Sequence, residues 1–314
     1  MKNSHRLIAY ILASSLMFSI SACSNINKYP IQGKFLFESS RSGNSIDLYM
    51  SKNEKVMLIA KKAYYPKWSP DGRLIACVVE KQFDKIKKKG VLLIDEKGQT
   101  KDFFEIELSP SLVQWSPDGK KIYFVCQRAD KPIYADGIYI LDLVSRDYAK
   151  IWGPNYDAHI DALAVSPTGD KVLFEKEEPK LGVYVLDLMT KDVKYLINGV
   201  NAAWFPDGKH IVYTTNIDED GNTIDQNFLG YFFRMNTETG EKEKVRKERH
   251  LMTLSLKVSK DGKYFYYTIQ GAGGGQQIVV SPIDNEKIEI PVTQPIMTSS
   301  GFSQDHSPDW YQGD

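Results

Sequence analysis

The side chains best suited to chemistry stand at a fixed distance before a recurring five-residue motif of the type Trp-Ser-Pro-Asp-Gly. Equal offsets in a repeat give equivalent positions, so we expect these residues together at the mouth of a central channel. With one histidine two positions further upstream, the set is Tyr64, Ser111, His159, Asp161 and His306. Two histidines and an aspartate could bind a metal in principle, and the whole set could bind a small ligand. The simpler alternative is that they line a wet channel.

Because these residues come from well-separated repeats, we favour a small ligand over a metal at the channel mouth. A second possible metal site is a segment that resembles a calcium loop. Asn216, Asp218 and Asp220 place oxygen ligands at alternate positions, and Gly221 follows where the loop needs its sharp turn. The last ligand position holds Asn227 instead of a bidentate glutamate, and the flanking segments resemble strands instead of helices. A solvated acidic turn is therefore the favoured interpretation.

The sequence lacks the motifs of common enzyme classes. It contains neither Gly-x-Ser-x-Gly nor His-Glu-x-x-His. The glycine-rich residues 271–275 lack the Lys-Ser/Thr pair and the following helix of a phosphate-binding loop. We therefore expect a protein without catalytic activity and without a cofactor.

Composition narrows the class of protein that positions these residues. The 314 residues include 40 basic and 40 acidic side chains, 42% hydrophobic residues and 25% charged residues. This apolar content is ordinary for a folded domain and excludes a low-complexity disordered chain. With no net positive charge to neutralise phosphates, we expect no nucleic-acid partner. Frequent aromatic residues favour strands over helices.

Internal repetition is the strongest signal in the sequence. The motif is complete at residues 68–72 and 115–119, and weaker copies begin at Val165, Trp204 and Val258. A final fragment carries Trp310. After each Asp-Gly pair comes an alternating apolar run, then a variable loop, a second β-rich run and a polar turn. Four short antiparallel strands per repeat, at intervals of roughly 40 to 54 residues, are typical of a β-propeller blade.

The two ends of the chain complete one further blade. Residues 34–60 contain three strands with no motif before them, and residues 304–310 contain a motif strand with no strands after it. Together with the five internal repeats they predict an all-β, six-bladed propeller over residues 34–314, closed by pairing of the N- and C-terminal strands. We expect the repeated Trp to pack between blades and the Asp-Gly pair to close a hairpin.

The N-terminal residues have the pattern of an export signal. Positive residues precede an apolar run at residues 7–20, which is too short to span a membrane. The small residues before Cys23 resemble the bacterial lipobox, which implies that residues 1–22 are a signal peptide and that Cys23 carries acyl chains such as palmitate. Residues 23–33 then form a tether to the membrane. The alternative is an ordinary cleaved signal with a chance cysteine. Both the lipoprotein signal and the ordinary cleaved signal predict an extracytoplasmic protein.

Export permits a disulfide, so the two remaining cysteines need separate consideration. Cys77 and Cys126 follow their motifs at offsets of equal parity, in equivalent strands of neighbouring repeats. Because side chains alternate between the faces of a strand, both sulfur atoms should point the same way around the ring. We therefore predict two buried free thiols.

The Trp-Ser-Pro-Asp-Gly motif followed by a strand rich in Ile and Tyr resembles the repeats of TolB-like six-bladed propellers. The resemblance covers nearly the whole chain after the signal and implies the same propeller fold. TolB itself carries an additional N-terminal domain before its propeller, where this sequence has a short tether. A role in the Tol–Pal system is therefore not implied.

Variable loops concentrate at one end of the predicted blades, for example at residues 81–90, 128–137 and 217–228. Variable loops on a rigid scaffold usually carry recognition. The favoured function is a lipid-anchored binding or scaffold module for a cell-envelope protein, peptide or polysaccharide. The alternative is a carbohydrate-active lyase or hydrolase, with a site at the channel mouth around His159, Asp161 and His306.

Overall fold

The computed structural model describes residues 29, 31–43, 45–83, 86–177, 179–215, 231–246, 253–270, 274–298 and 301–313. These residues form six four-stranded antiparallel sheets and one small hairpin. Among the same residues, no helix is both long and apolar enough to span a membrane. The prediction of an all-β six-bladed propeller is confirmed.

Each sheet is one blade, and its four strands follow one another from the ring's centre outwards. The innermost strands are β4 (Ala63–Trp68), β8 (Ser109–Trp115), β12 (Ile160–Val165), β16 (Val200–Trp204), β20 (Thr253–Val258) and β26 (Asp305–Tyr311). The second strands are β1 (Lys34–Ser39), β5 (Ile75–Phe83), β9 (Lys121–Gln127), β13 (Lys171–Lys176), β17 (His210–Thr215) and β21 (Tyr264–Gln270). The third strands are β2 (Asp47–Lys52), β6 (Ile86–Ile94), β10 (Ala135–Asp142), β14 (Gly182–Asp187), β18 (Tyr231–Asn236) and β22 (Gln276–Pro282). The outermost strands are β3 (Lys55–Ala60), β7 (Thr100–Glu105), β11 (Tyr148–Trp152), β15 (Val193–Ile197), β19 (Lys242–Lys244) and β23 (Ile290–Pro291), and the separate hairpin is β24 (Met297–Thr298) with β25 (Gly301–Phe302).

The innermost strands contact one another around the ring in the order β26, β4, β8, β12, β16, β20 and back to β26. We number the blades in the same order, from blade 1 to blade 6. Blade 1 combines both chain ends, because β26 pairs antiparallel with β1, from Lys34 opposite Tyr311 to Ser39 opposite Asp305. The rings of Phe35 and Trp310 stack across this pair with centroids 4.7 Å apart. The predicted closure of the ring by its termini is confirmed.

The ring has two different rims. We call the end that carries the repeated Ser-Pro-Asp-Gly turns the Asp-Gly rim. At the opposite end, which we call the loop rim, second strands connect to third strands and each blade connects to the next. β26 runs from the loop rim to the Asp-Gly rim, so β1 begins beside Tyr311 at the Asp-Gly rim.

The repeated turn is held by its own side chains. In blade 2 the Ser69 hydroxyl donates to Asp71 Oδ1 at 2.6 Å and accepts the Leu74 amide at 2.9 Å. Gly72 has a φ of 66°, a left-handed conformation that glycine adopts without strain. A Cβ atom there would also collide with the Tyr311 ring. The Asp-Gly pair therefore closes a hairpin, as the sequence predicts.

The repeated tryptophans join neighbouring blades. The indole of Trp115 donates to the Lys67 carbonyl at 3.1 Å, and the indole of Trp204 donates to the Ala164 carbonyl at 3.2 Å. Each acceptor lies on the innermost strand of the preceding blade, one residue before its own motif. At these two blade interfaces a buried ring is combined with a satisfied N–H, whereas Trp68 is buried at its interface without a hydrogen-bond partner for its indole N–H among the described residues.

The two internal thiols are free and fully buried. Cys77 packs with blade 1 residues such as Leu48, and Cys126 packs with blade 2 residues such as Val91. Each sulfur therefore faces the preceding blade, which confirms the parity argument. Desolvation raises the pKa of each thiol to about 12, so both remain protonated at neutral pH.

The predicted loop at residues 81–90 was wrong. Strands β5 and β6 continue past the loop rim as a long hairpin, with Glu80 opposite Lys89 and Lys81 opposite Lys88. The Lys87 ammonium also lies 2.9 Å from Glu80. Backbone pairing continues as far as Phe83 opposite Ile86, and the Glu80–Lys87 ion pair supports this extended ladder.

Candidate functional site

A β-bulge interrupts the innermost strand of each blade just before the motif. In five blades the residue three positions before the motif has a positive φ, between 53° and 57°, and these residues are Tyr65, Leu112, Asn201, Ser255 and Ser307. Left-handed residues other than glycine are uncommon, and bulges re-aim side chains. The bulges turn this position towards the channel in these five blades, and all five side chains line one cavity.

Two buried glutamates accept backbone N–H groups at the bulges. Glu38 Oε1 accepts the Tyr65 amide at 2.8 Å, and Glu175 Oε1 accepts the Ala202 amide at 2.7 Å. Both lie on second strands, in blades 1 and 4, and each reaches the next blade. Burial raises the pKa of both carboxyl groups, because desolvation outweighs the hydrogen bonds and nearby positive charges.

The channel encloses a cavity of about 260 Å³. Three of its lining side chains stand one residue before a motif: Lys67, Gln114 and Lys257. Lys67 Nζ lies 3.6 Å from Asp309 Oδ1, the carboxylate at the same position of blade 1. Lys257 forms no hydrogen bond or ion pair with another described residue. Desolvation and the neighbouring Lys67 charge lower its pKa to about 8.

A second cavity, of about 230 Å³, opens towards the loop rim and shares Tyr65, Leu112 and Asp161 with the first. It brings together three of the predicted site residues, Ser111, His159 and Asp161. Ser111 is buried and Asp161 is exposed, while the His159 ring packs edge-on against Tyr134 at 4.9 Å between centroids. We call this the mouth cavity. It offers an imidazole, a carboxylate and a hydroxyl to a small polar group.

The remaining two predicted mouth residues do not line either cavity. Tyr64 precedes the left-handed Tyr65, and it is Tyr65 that faces the channel. His306 lies opposite Glu38 in the β1–β26 pair, and its Nδ1 is 3.1 Å from the Ser307 hydroxyl. Its charge favours the ionised form of Glu38 without outweighing burial. The proposed ligand role of these five residues stays a prediction.

The other predicted sites fall outside the described residues. They are the lipidation site Cys23 and the calcium-loop residues Asn216, Asp218 and Asp220. Among the residues that are described, no group of three or more His, Cys, Asp or Glu side chains is placed to hold a metal.

The two buried glutamates and Lys257 were not among the predicted site residues. A signal for the glutamates exists, because the tripeptide Leu-Phe-Glu ends at Glu38 and again at Glu175, in the second strand of two blades. No such signal marks Lys257, because Lys67 stands at the same position of another repeat and there forms an ion pair with Asp309.

Replacing Glu175 by Gln is expected to change how stability depends on pH. Because the folded-state pKa of Glu175 is raised, its ionisation opposes folding, and this cost appears as the pH rises above about 4.5. Glutamine keeps a carbonyl oxygen for the Ala202 amide and cannot ionise. Glu175→Gln should therefore melt at a higher temperature than the wild type at pH 8, and the difference should vanish towards pH 4. Melting curves across this range give the answer, with Glu177→Gln, an exposed neighbour, as the control. A melting temperature at pH 8 equal to or below that of the wild type would contradict it.

Comparison with known proteins identifies relatives by structure alone. No protein-family model matches the chain, and no curated protein matches it by sequence. TolB from Acinetobacter baumannii superimposes with a TM-score of 0.65 at 17% identity, over 88% of this chain and 66% of that TolB chain. The chain thus spans just under two thirds of that protein.

Two further solved structures are similar over most of the chain. A structure from Agrobacterium tumefaciens assigned as TolB gives a TM-score of 0.58 at 11% identity, covering 89% of this chain and 99% of its own. An oligogalacturonate lyase in complex with manganese gives 0.58 at 14% identity, covering 81% and 72%. Identities this low establish the fold and nothing more, and on that ground this chain has a TolB-like six-bladed β-propeller fold.

Proposed function

We propose that the chain is a non-enzymatic binding module that captures a cell-envelope protein, peptide or polysaccharide through its loop rim. The observation that carries this proposal is where large apolar side chains are exposed. Of twelve such side chains among the described residues, two lie on turns of the Asp-Gly rim and three on the outer strand β3. The other seven lie at the loop rim: Ile133, Tyr156, Leu181, Val200, Ile296, Met297 and Phe302.

Exposed apolar groups that cluster on one face, beside polar cavities, are typical of recognition surfaces. The β24–β25 hairpin contributes Met297, which is 69% exposed, and Phe302, which is 40% exposed. Gln304 fixes the base of this hairpin, since its amide donates to the Gly274 carbonyl at 2.7 Å. The hairpin therefore presents its apolar residues from a held position, which reduces the entropy lost on binding.

The test is affinity capture from the solubilised envelope of the cell that makes the protein, compared across variants. A double variant Met297→Asp/Phe302→Asp should lose the captured component, because charge at the centre of an apolar contact cannot be desolvated cheaply. Met189→Asp on the Asp-Gly rim is the matched control, since Met189 is 90% exposed. Capture that survives the double variant, or is lost equally in the control, refutes binding through the loop rim.

We also propose that the protein is exported and held at a membrane through Cys23. The supporting features are the apolar run at residues 7–20 and the small residues before Cys23. Stable anchoring requires more than one acyl chain. Cys23→Ser should move the protein from the membrane fraction to the soluble extracytoplasmic fraction, and unchanged membrane association would contradict the lipid anchor.

A carbohydrate-active enzyme is the second candidate. One observation favours it, namely that Ser111, His159 and Asp161 share the mouth cavity. If the protein cleaves a polysaccharide, and His159→Ala loses this activity while it still captures the envelope component, the result would support the enzyme over the binding module. If the protein cleaves neither uronate-rich nor neutral polysaccharides, the result would count against the enzyme and leave the binding module as the favoured function.

A further inference from the structure

We propose that the central channel binds a small solute bearing a carboxylate, which pairs with the Lys257 ammonium. Ser255, on the same strand, and Gln114, across the channel, supply further hydrogen bonds to its oxygen atoms. This site is the 260 Å³ cavity below the mouth cavity, so the inference goes beyond loop-rim binding and does not depend on it.

Four hydrogen-bond donors that line this cavity are not used within the described part of the protein. Lys257 Nζ, the Gln114 amide, the Ser255 hydroxyl and the Tyr65 hydroxyl all belong to residues that line this cavity. None of these four groups forms a hydrogen bond with another described residue. Buried or half-buried polar groups are normally satisfied, so a set of open donors facing one space indicates what the space receives.

Three of the acidic groups around the cavity are already engaged, and a fourth, Asp161, is exposed where this cavity meets the mouth cavity. Glu38 and Glu175 accept backbone amides at the bulges, and Asp309 Oδ2 accepts the Trp68 amide at 2.7 Å. Asp309 Oδ1 also faces Lys67. Lys257 can only donate, and Gln114, Ser255 and Tyr65 each carry a donor as well as an acceptor, so all four open groups can donate to one ligand. A carboxylate, which only accepts hydrogen bonds, matches this capacity.

The charges around the Lys257 ammonium also favour an anionic ligand. Lys257 lies within the field of Lys67, Glu175 and Asp309, and the net effect of burial and these charges is to disfavour its charged form. A ligand carboxylate in contact with Nζ would restore a counter-charge in a partly desolvated site, where charge-assisted hydrogen bonds are strong. The Lys257 ammonium thus has carboxylates nearby but no direct ion pair with a described residue, and the cavity beside it can receive an anion.

The size of the cavity limits the ligand. At about 260 Å³ it lies below the range of roughly 300 to 1,000 Å³ typical of pockets for drug-sized ligands. A monocarboxylate or dicarboxylate of a few carbon atoms fits this volume, whereas a polymer chain does not.

The experiment is a calorimetric titration of the full chain with acetate, succinate and glutamate, each paired with its neutral amide. At least one carboxylate should bind saturably while its amide does not. Lys257→Met should weaken this binding by at least about tenfold, as expected for the loss of a hydrogen bond to a charged group. Lys263→Met, an exposed lysine shortly after the same motif, should bind like the wild type.

A second measurement uses the unaltered protein, so the test does not depend on a variant that folds well. The NMR signal of the Lys257 side chain, assigned through its bonds to the backbone in the unaltered protein, should titrate at a pKa of about 8 without ligand and at a higher pKa with ligand. No binding by any of the three carboxylates, equal binding of the amides, or binding unchanged in Lys257→Met overturns the proposal. Failure of loop-rim capture would leave these readouts unaffected, so the two proposals fail separately.

Discussion

Removal of residues 305–314 is expected to abolish cooperative thermal unfolding. The deletion takes away β26, the innermost strand of blade 1, and leaves β1 without its inner partner along residues 34–39. It also removes Trp310, which stacks on Phe35 and donates to the Gln32 carbonyl at 2.9 Å. The short inner edges of the blades stay protected in a propeller only as long as the ring is closed. Calorimetry should show a broad transition of low enthalpy in place of a sharp one.

A shorter truncation is the control for this experiment. Removing only residues 313–314 leaves β26 intact, together with the contact in which Gln312 Oε1 accepts the Asp261 amide at 3.1 Å. That protein should unfold like the full chain. If the longer deletion also unfolds with the enthalpy and midpoint of the full chain, closure by β26 is not what holds the ring together.

Replacement of Asp305 by Asn is expected to lower the free energy of unfolding by about 3 kcal/mol. Asp305 is fully buried, and its two oxygens accept the Ser39 hydroxyl and the Arg41 guanidinium, each at 2.5 Å. Arg41 in turn lies over the rings of Phe37 and Tyr49. Asparagine keeps the shape and the hydroxyl contact, but it leaves the mostly buried guanidinium without a counter-charge.

Asp130→Asn is the matched control, because Asp130 pairs with Arg128 at 2.8 Å while its own side chain is 63% exposed. Exposed pairs contribute roughly 0 to 1 kcal/mol. Chemical denaturation of both variants measures the difference directly. Equal losses in the two variants would mean that the Asp305–Arg41 pair does not clamp the loop-rim end of the β1–β26 pair.

The sequence was sufficient for the architecture because the propeller repeats its local chemistry. Each Asp-Gly pair marks the hairpin between the first and second strands, and the apolar alternation that follows gives the second strand. The split blade could be counted because Trp310 appears without following strands. The equal parity of Cys77 and Cys126 was enough to predict that both thiols face the same way, since strand side chains alternate strictly.

The residues that line the channel cavities were less predictable, because the β-bulges of the innermost strands decide which side chains face the channel. The left-handed position is occupied by Tyr65, Leu112, Asn201 and two serines, and of these types only Asn is enriched at positive φ. The bulge decides which neighbour faces the channel, so Tyr65 lines the cavities where Tyr64 was expected. The same limit applies to residues 81–90, where cross-strand pairing of charged residues extends a hairpin that composition alone describes as a loop.

The position of the first strand has a consequence for the orientation of the whole protein. Gly33 packs against the Tyr311 backbone, so the chain enters the ring at the end opposite the exposed apolar groups. Tyr29 is already buried against Tyr264, so if Cys23 carries the acyl chains, the chain between them allows a reach of at most about 20 Å from the bilayer. The anchored propeller would then lie with its Asp-Gly turns towards the lipid headgroups, and the proposed binding face would look away from the surface that holds it.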